Sequence, residues 1–382
     1  MKFDFSEDQY FVKNDARRFL NDRCSMEAVR QYLDSDPYLL HPLWQELSEL
    51  GWPGVAIPEA YGGWGMGYLE LCVLAEELGR VAAPVPFASS IYLAAEALLH
   101  CGSEEQKQRY LPAIASGQSI GTVAWSEAGV APVIFEDGHI SGSKRPVVSG
   151  TLADVAVVSA ATPEGGEVLV IAELGAPMPD GNQCVSRQAL PYVDPSLRVA
   201  QLSFDRCPAE VLSGCENSGD AKSHLLDRAA VLLAFEQVGG SHRCQEMTVD
   251  YVKERKTFGR SVGSYQAVKH KLAKMYTHTE LARSNAFYGA WALAAGSREL
   301  PLAASAARIT ASESFEFAAR EGLHLHGGMG YTWEVNCHLF LKRSRALALR
   351  LGSARHWKER LITQTLATMR SPETMPAWLT NS

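Results

Sequence analysis

The sequence lacks a Cys-x-x-Cys pair, although it carries eight cysteines among its 382 residues. Cysteines at that spacing would indicate a zinc site or a redox motif. The amino terminus, residues 1–8, also lacks the apolar core of a secretory signal. Together these absences predict a reduced, cytoplasmic compartment, where disulfides are rare.

The sequence also has no long hydrophobic run and no cluster of basic residues. A membrane-spanning helix needs about 18 or more apolar residues in succession, and no window approaches that length. The formal net charge is -7, and no nucleic-acid-binding motif is present. We therefore expect neither a membrane nor a nucleic acid among the partners. The length allows two or three packed units with a sizeable core.

The spacing of apolar residues changes twice along the chain and predicts an α+β multidomain fold. Helical spacing, as at Phe11 and Leu20, predicts an N-terminal α-helical domain over residues 1–119. Short runs separated by turn residues predict a middle antiparallel β-barrel or sandwich over residues 120–215. Those runs are residues 121–125, 133–135, 139–141, 155–159, 168–172 and 199–204. Helical spacing then returns and predicts a C-terminal helical bundle domain over residues 216–382.

Cations lie between two long helical runs in the last domain. Arg255 and Arg260, with a lysine next to Arg255, separate a run over residues 225–252 from one over residues 265–295. One interpretation is capping, because cations are favourable at helix C-termini. The other is a pyrophosphate site, because guanidinium groups hold phosphates bidentately and the Gln266 amide can donate to a further oxygen.

This region also carries a family resemblance. Glu-Arg-Lys-Thr-Phe-Gly-Arg at residues 254–260, followed by Ser-Tyr-Gln-Ala-Val-Lys-His at residues 264–270, resembles the acyl-CoA dehydrogenase flavoprotein family. Further stretches that fit the family are residues 3–9, 50–63, 102–117 and 326–334. The resemblance covers nearly the whole chain. It implies FAD as the cofactor, an acyl-CoA as the substrate, and a helical domain, a β domain and a four-helix bundle in that order.

The resemblance implies a role for three residues of the cation-rich turn. In the family, the residues at the positions of Arg255, Phe258 and Gln266 bind the ADP half of FAD, and the FAD belongs to the neighbouring subunit. The same three residues are therefore expected to bind the nucleotide end of the cofactor here.

Glycines form the other side of the implied cofactor site. Gly327, Gly328 and Gly330 would let backbone N–H groups approach a nucleotide closely. His324 stands where many relatives have glutamine, and imidazole still donates one hydrogen bond. A tight interhelical turn is the alternative explanation of the glycines. No metal site is expected from His324 and His326, because residues two apart on a helix face different sides.

The catalytic base of the family is missing from both of its usual positions. The family removes the α proton with a carboxylate, and these positions fall on Leu351 and Ala229. Glu236 lies on the same helical face as Ala229 and about 10 Å along the axis, so it is the candidate for a relocated base. Asp227 points about 200° away from Ala229 and is the second candidate. The alternative for Glu236 is a structural carboxylate held by an arginine or a hydrogen bond.

The seat of the flavin ring also departs from the family pattern. The Gly-Ser-Asp turn expected after Ser126 is absent. Where relatives have an aromatic residue and a threonine or serine that contacts flavin N5, this chain has Pro146 and Val148. Valine has no hydrogen to donate, so Ser126 and Ser149 are the residues left to compensate.

The departures are concentrated at one end of the cofactor. Residues that serve a neighbour's FAD are kept, whereas those that serve the chain's own flavin ring and substrate are depleted. The family includes α2β2 enzymes for bulky steroid side-chain or branched acyl-CoA esters, whose shorter subunit ends much as this chain does. We therefore expect a subunit of that kind, with a homologous acyl-CoA dehydrogenase subunit as partner and electron-transfer flavoprotein as electron acceptor.

Three other interpretations stay open from the sequence. The chain could form a homotetramer that uses Glu236 as base. It could be a scaffold subunit without turnover, holding FAD only structurally or not at all. It could also be a flavin-dependent lyase or monooxygenase of similar fold, because loss of the proton-abstracting base is compatible with other flavin chemistry.

Overall fold

The computed structural model describes residues 5–175, 183–214 and 218–370. Phe3 and Asp4 of the amino-terminal family motif lie outside the described residues. The helices are α1 (Glu7–Arg23), α2 (Met26–Leu33), α3 (Leu43–Glu49), α4 (Tyr68–Arg80), α5 (Phe87–Ser89), α6 (Glu96–Cys101), α7 (Glu104–Ala115), α8 (Ser218–Glu254), α9 (Gln266–Ala294), α10 (Leu300–Leu325), α11 (Cys337–Leu349) and α12 (Ala354–Arg370). A π-helix, Ser90–Ala95, joins α5 to α6.

The strands lie mainly between α7 and α8. They are β1 (Gly121–Ala124), β2 (Ile134–Glu136), β3 (His139–Val147), β4 (Val155–Ala161), β5 (Glu167–Glu173), β6 (Val185–Ala189), β7 (Ala200–Pro208), β8 (Glu210–Val211), β9 (Lys256–Thr257) and β10 (Arg260–Ser261). The predicted fold class, helical then β then helical, is confirmed.

The chain divides into two compact units. The first, called the bundle unit, comprises the described parts of residues 1–13, 75–82 and 230–382. The second, called the sheet unit, comprises the described parts of residues 14–74 and 83–229. The division falls inside α1, α4 and α8. The three-domain division expected from the sequence stays a prediction, and its second boundary lies outside the described residues.

The sheet unit contains an eight-stranded sheet in the order β6-β7-β3-β2-β4-β5-β8, with β1 added beside β4. Each of the six predicted strand runs coincides with an observed strand. The sheet is mixed, however, because β1 pairs with β4 in parallel along its whole length. Both of these strands are almost entirely buried, as is usual for parallel pairs. The long connection between them, which includes β2 and β3, allows the parallel pairing.

Two strands of the sheet have no counterpart among the predicted runs. Strand β6 carries Ser186, Arg187 and Gln188 in succession, so its sequence shows no apolar alternation. It forms one edge of the sheet, where one side of its backbone pairs with β7. Strand β8 is only two residues long. Edge strands of this kind are held by backbone pairing, which leaves little sequence signal.

The bundle unit is built on long helices, as the sequence predicts. Helix α10 packs against α9, α11 and α12. The buried hydroxyl of Ser241 on α8 bonds to Thr279 on α9 at 2.8 Å and to Ser314 on α10 at 2.9 Å. Buried hydroxyls need partners, so this cluster fixes the three helices against one another. In the described part of the chain, no helix combines the length and apolar character that a bilayer crossing requires.

Candidate functional site

The cation-rich turn forms a small β-hairpin at the end of α8. Strands β9 and β10 pair across it, with Arg260 opposite Thr257. The Arg260 guanidinium lies 3.9 Å from the centre of the Tyr265 ring, and the Tyr265 hydroxyl donates to the Thr257 carbonyl at 3.0 Å. Arg260 and Tyr265 therefore stabilise the hairpin itself.

The remaining hairpin residues point outward. Phe258 has a left-handed backbone, with φ of 54°, and its side chain is 95% exposed. Arg255 is exposed, and it forms no ion pair with any carboxylate of the described residues. A large exposed aromatic ring and an uncompensated guanidinium beside each other favour binding of a ligand that carries a flat ring and an anion.

Gln266 is the first residue of α9 and is exposed. The N-cap residue, Tyr265, provides no side-chain hydrogen bond to the helix. The first turn of a long helix therefore keeps backbone donors and the positive end of its dipole available, which is the arrangement that binds phosphate groups. This geometry favours the pyrophosphate interpretation over simple capping.

The glycine segment forms a short 3-10 helix, Gly327–Tyr331, directly after α10. Gly327 has a φ of 61°, and added Cβ atoms at Gly327 and Gly328 would meet nothing within 4 Å. A Cβ at Gly330 would lie 2.2 Å from the Leu323 carbonyl oxygen. Packing alone thus explains Gly330, whereas Gly327 and Gly328 leave an open backbone surface that a ligand can approach. His324, in the last turn of α10, is exposed.

A ring stack joins the two halves of this region. The Tyr251 and His326 rings are 4.3 Å apart between centroids with planes at 24°. Nδ1 of His326 donates to the Gly322 carbonyl at 2.7 Å, and burial lowers the pKa of His326 below its usual value. Because Tyr251 and His326 lie near the ends of α8 and α10, the stack brings the hairpin and the glycine segment to one end of the bundle unit.

Two histidines near the glycine segment pack against aromatic rings. Within residues 5–175, 183–214 and 218–370, no group of three or more His, Cys, Asp or Glu side chains could hold a metal ion. His326 is buried against Tyr251, and His338 packs edge-on to Trp333 at 4.4 Å.

The residues expected to seat the flavin ring lie in the sheet unit, and several of their polar groups have partners within the protein. Ser149 is buried, and its hydroxyl accepts a hydrogen bond from Ser89 at 2.7 Å. The Val148 carbonyl accepts from Thr122 at 2.7 Å. Ser126 is half-buried, and its carbonyl accepts from the Arg145 N–H at 2.7 Å. The Ser149 hydroxyl therefore has an internal partner, Ser89, and is shielded from solvent.

A buried ion pair lies in the same region. Lys144 is 1% exposed and bonds to the carboxylate of Glu127. Burial lowers the pKa of Lys144, against the opposing effect of the Glu127 charge. A carboxylate that neutralises a buried lysine is a structural partner, so Glu127 is not positioned as a free base.

Both family positions for the base are buried in apolar surroundings. Leu351 is 3% exposed, and its carbonyl accepts from Trp357 Nε1 at 3.0 Å. Ala229 and Ala230 are completely buried in the middle of α8. Asp227, two residues earlier, is also buried. Neither family position offers a group that takes a proton.

Glu236 is buried next to an arginine. Nη1 of Arg343 on α11 lies 3.4 Å from Glu236 Oε1, and Nη2 of the same arginine donates to the Ala82 carbonyl at 3.1 Å. The following residue, Gln237, accepts a hydrogen bond from Arg308. Arg308 is also buried and donates to the Leu347 carbonyl. The carboxylate of Glu236 therefore lies beside buried cationic side chains.

The charge of Arg308 is unfavourable where it lies. Burial, together with the positive charge of Arg350, lowers the pKa of Arg308 to about 9, although the charge of Glu236 opposes this. Arg308 also donates to Ser312 at 3.0 Å. Hydrogen bonds to a side-chain amide, a hydroxyl and a helix carbonyl thus hold a cation that the apolar interior disfavours.

Sequence reasoning missed a second buried polar cluster, in the sheet unit. Nε of Arg228, directly before Ala229, donates to Glu96 at 2.6 Å, and the Tyr68 hydroxyl donates to Glu96 at 3.2 Å. Burial by itself raises the pKa of Glu96, but His100 and Arg228 outweigh it and hold that pKa low. The feature visible in the sequence was a single carboxylate, Glu96, inside an otherwise apolar stretch. The adjoining π-helix, a feature that often marks a functional region, is visible only in the structure.

Comparison with known proteins gives two family matches along the chain. Residues 6–118 match the family described as acyl-CoA dehydrogenase, N-terminal domain. Residues 219–362 match the family described as acyl-CoA dehydrogenase, C-terminal domain.

Individual relatives span nearly the whole chain. The chain is 32% identical to "Acyl-CoA dehydrogenase IpdE2" of Mycobacterium tuberculosis over 335 residues, which is 87% of this chain and 90% of that protein. A structure of the Tcur3481-Tcur3483 steroid ACAD has a TM-score of 0.84 and 31% identity, and covers 96% of this chain and 99% of that one. The ChsE4-ChsE5 complex from Mycobacterium tuberculosis has a TM-score of 0.86 and 27% identity, covering 97% and 100%.

Proposed function

Because the chain belongs to the acyl-CoA dehydrogenase family, we propose that it serves in the α,β-dehydrogenation of an acyl-CoA thioester as one subunit of a heteromeric enzyme. Its own part is to complete the nucleotide end of an FAD site. The homologous partner subunit supplies the seat of the flavin ring and the catalytic carboxylate. FAD, when bound, accepts the hydride that leaves the β carbon.

The residues at one end of the bundle unit fit the nucleotide half of FAD. Arg255 and the uncapped start of α9 at Gln266 offer donors to a pyrophosphate. Phe258 offers an exposed ring for a flat base. The open backbone at Gly327 and Gly328 allows close approach of a ligand. These residues are on the surface, as they must be to serve a cofactor held mainly by another subunit.

The residues at the positions for the reactive end of FAD are poorly suited to that role. The hydroxyl of Ser149 is bonded to Ser89, and Val148 has no side-chain donor. The base positions are Leu351 and Ala229, and Glu236 lies beside Arg343. The single observation that carries the proposal is the contrast between exposed nucleotide-binding residues and the buried or apolar residues at reactive-end positions 148, 149, 229 and 351.

The similar structures support a substrate class and an assembly. One is a steroid ACAD and another is a complex of two named components. We propose an acyl-CoA ester of a steroid side chain or branched chain as the substrate, and an α2β2 tetramer as the assembly. Electron-transfer flavoprotein is the proposed acceptor. The seven cysteines of the described residues are all free thiols, which supports the proposed cytoplasmic location.

Flavin stoichiometry tests the proposal directly. The chain purified alone is expected to contain little FAD, and the chain co-purified with a co-encoded homologue is expected to be yellow with two flavins per α2β2 tetramer. Arg255→Ala should lower flavin retention in the complex, because charge-assisted bonds to the pyrophosphate are lost. Lys253→Ala, which removes an exposed cation from the last turn of α8, is the matched control. Equal retention in both variants would contradict the nucleotide-site role.

The homotetramer and scaffold alternatives give different results in the same preparations. A homotetramer that uses Glu236 would carry FAD when purified alone, and Glu236→Gln would retain flavin but lose bleaching by acyl-CoA. A scaffold without a cofactor role would leave flavin retention in the complex insensitive to Arg255→Ala and Phe258→Ala. A lyase or monooxygenase would carry flavin alone without bleaching by an acyl-CoA.

A further inference from the structure

A cavity of about 260 Å³ lies within the sheet unit, between the end of α2 and the segment that joins β6 to β7. Much of its wall is apolar and includes Leu33, Leu190 and Val199. Of the described residues that line it, Arg198 alone is charged. The cavity is separate from every residue considered above for FAD or acyl-CoA.

Arg198 is buried there, and no described carboxylate forms an ion pair with it. The residue is 4% exposed. Its Nη2 donates to the Tyr32 carbonyl at 2.7 Å and to the Ser35 hydroxyl at 2.6 Å, and the guanidinium carbon lies 3.7 Å from the centre of the Tyr32 ring. Its Nε is buried and has no acceptor, and no carboxylate among residues 5–175, 183–214 and 218–370 forms an ion pair with it.

Neither His41 nor Tyr32 offsets this charge. Nδ1 of His41 accepts the Leu43 N–H at 3.1 Å, and burial, with a further contribution from the Arg198 charge, lowers the pKa of His41. The pKa of Tyr32 is raised, chiefly by burial, although Arg198 opposes the rise. The neutral forms of both groups are thus favoured, so neither of them supplies a counter-charge to Arg198. Buried cations are strongly stabilised by an anion at hydrogen-bonding distance.

We propose that this cavity binds a monocarboxylate with a compact apolar body. The carboxylate pairs with the guanidinium of Arg198, whose Nε–H has no acceptor among the described residues, and the apolar body contacts Leu33, Leu190 and Val199. One cation matches one negative charge, whereas a phosphate dianion would need more donors than this apolar wall provides. The proposal does not depend on the role in an acyl-CoA dehydrogenase.

Benzoate is the probe for this site, tested by isothermal titration calorimetry and thermal unfolding of the chain as purified, with its partner subunit if the two co-purify. We expect saturable binding and a higher unfolding midpoint in benzoate, because a ligand that binds the folded state stabilises it. Arg198→Gln should weaken binding at least tenfold. The matched control is Arg206→Gln, because Arg206 also has a left-handed backbone, with φ of 47° against 52° at Arg198, but is exposed.

A second variant keeps the proposal testable if Arg198→Gln fails to fold. Leu190→Trp fills the cavity while leaving the arginine in place, and it should also abolish benzoate binding. Undiminished binding to either folded variant would overturn the site, as would absence of binding to the unmodified chain at about 10 mM benzoate. Inorganic phosphate that competes with equal affinity would overturn the monocarboxylate class. Phosphate that binds at least tenfold more weakly supports it.

Discussion

Nη1 of Arg343 on α11 lies 3.4 Å from Oε1 of Glu236 on α8, and the two side chains are almost completely buried. The residues are 107 positions apart in the sequence. The Glu236 carboxylate is the first candidate for a relocated base, and this ion pair gives it a structural partner. A carboxylate stabilised by an adjacent cation is a weaker proton acceptor than one buried among apolar groups.

The first prediction concerns that ion pair. Arg343→Met should destabilise the protein by about 3 kcal/mol, because it removes a cation beside a buried carboxylate and a donor to the Ala82 carbonyl. Glu236→Gln should cost less, since the amide keeps the shape and remains able to hydrogen-bond. Urea unfolding of the two single variants and the double variant measures the coupling. A double variant that loses the full sum of the single effects would mean that the two side chains do not interact.

The second prediction compares a buried ion pair with an exposed one in the sheet unit. Arg228→Met should cost about 3 kcal/mol because it leaves Glu96 buried without its cation. Arg109→Met should change stability by less than about 1 kcal/mol, because Arg109 and Glu210 form an exposed pair with side chains 48% and 46% accessible. Thermal unfolding of both variants provides the comparison. Equal losses would contradict the importance attributed to burial.

The third prediction separates two glycines of the glycine segment. Gly330→Ala should destabilise the protein by roughly 2 kcal/mol, because the new Cβ would lie 2.2 Å from the Leu323 carbonyl oxygen and the backbone must shift. Gly328→Ala meets open space and should leave the free energy of unfolding within about 0.5 kcal/mol of the original. Chemical denaturation tests both variants, and the packing argument fails if their stabilities are alike.

The fourth prediction is a loss of stability in mild acid. Burial lowers the pKa of His41, His224, His242 and His326 below the usual 6.5. As the pH falls through that value, the unfolded chain binds protons at these imidazoles before the folded chain does, so the free energy of unfolding decreases. Each histidine contributes up to about 1.4 kcal/mol per pH unit until its folded form also titrates.

Urea unfolding between about pH 8 and about pH 5.5 measures this dependence. His326→Phe keeps a ring to stack on Tyr251 but cannot titrate, so the variant should show a smaller pH dependence than the original chain. An unchanged slope in that variant would show that His326 does not contribute.

The sequence predicted most of the architecture because regular spacing of apolar residues is a local property. The runs at residues 225–252 and 265–295 became α8 and α9, and each of the six predicted strand runs overlaps a strand. Strand β6 was missed because its three consecutive polar residues show no alternation. The parallel pairing of β1 with β4 was also missed, since strand direction depends on where a long connection leads.

The candidate site divides in the same way. The motif around Arg255, Phe258 and Gln266 could be recognised from the sequence because its residues are close together in the chain. The structure leaves all three residues exposed. The stack of Tyr251 on His326 could not be predicted from the sequence, because it joins residues near the ends of two separate helices. Nor did the sequence indicate that Gly330 is required by packing against Leu323 while Gly328 is not.

By itself the sequence determined the family, the order of helical and β segments, and the absence of a carboxylate from both family positions of the base. Only the tertiary structure decided which partners the buried charges have: Arg343 for Glu236, Arg228 for Glu96, and, among the described residues, no carboxylate for Arg198. The physical reason is that a charge buried in a protein depends on the groups within a few ångströms of it. Glu96 and Arg228, for example, are separated by 132 residues, and only folding brings them together.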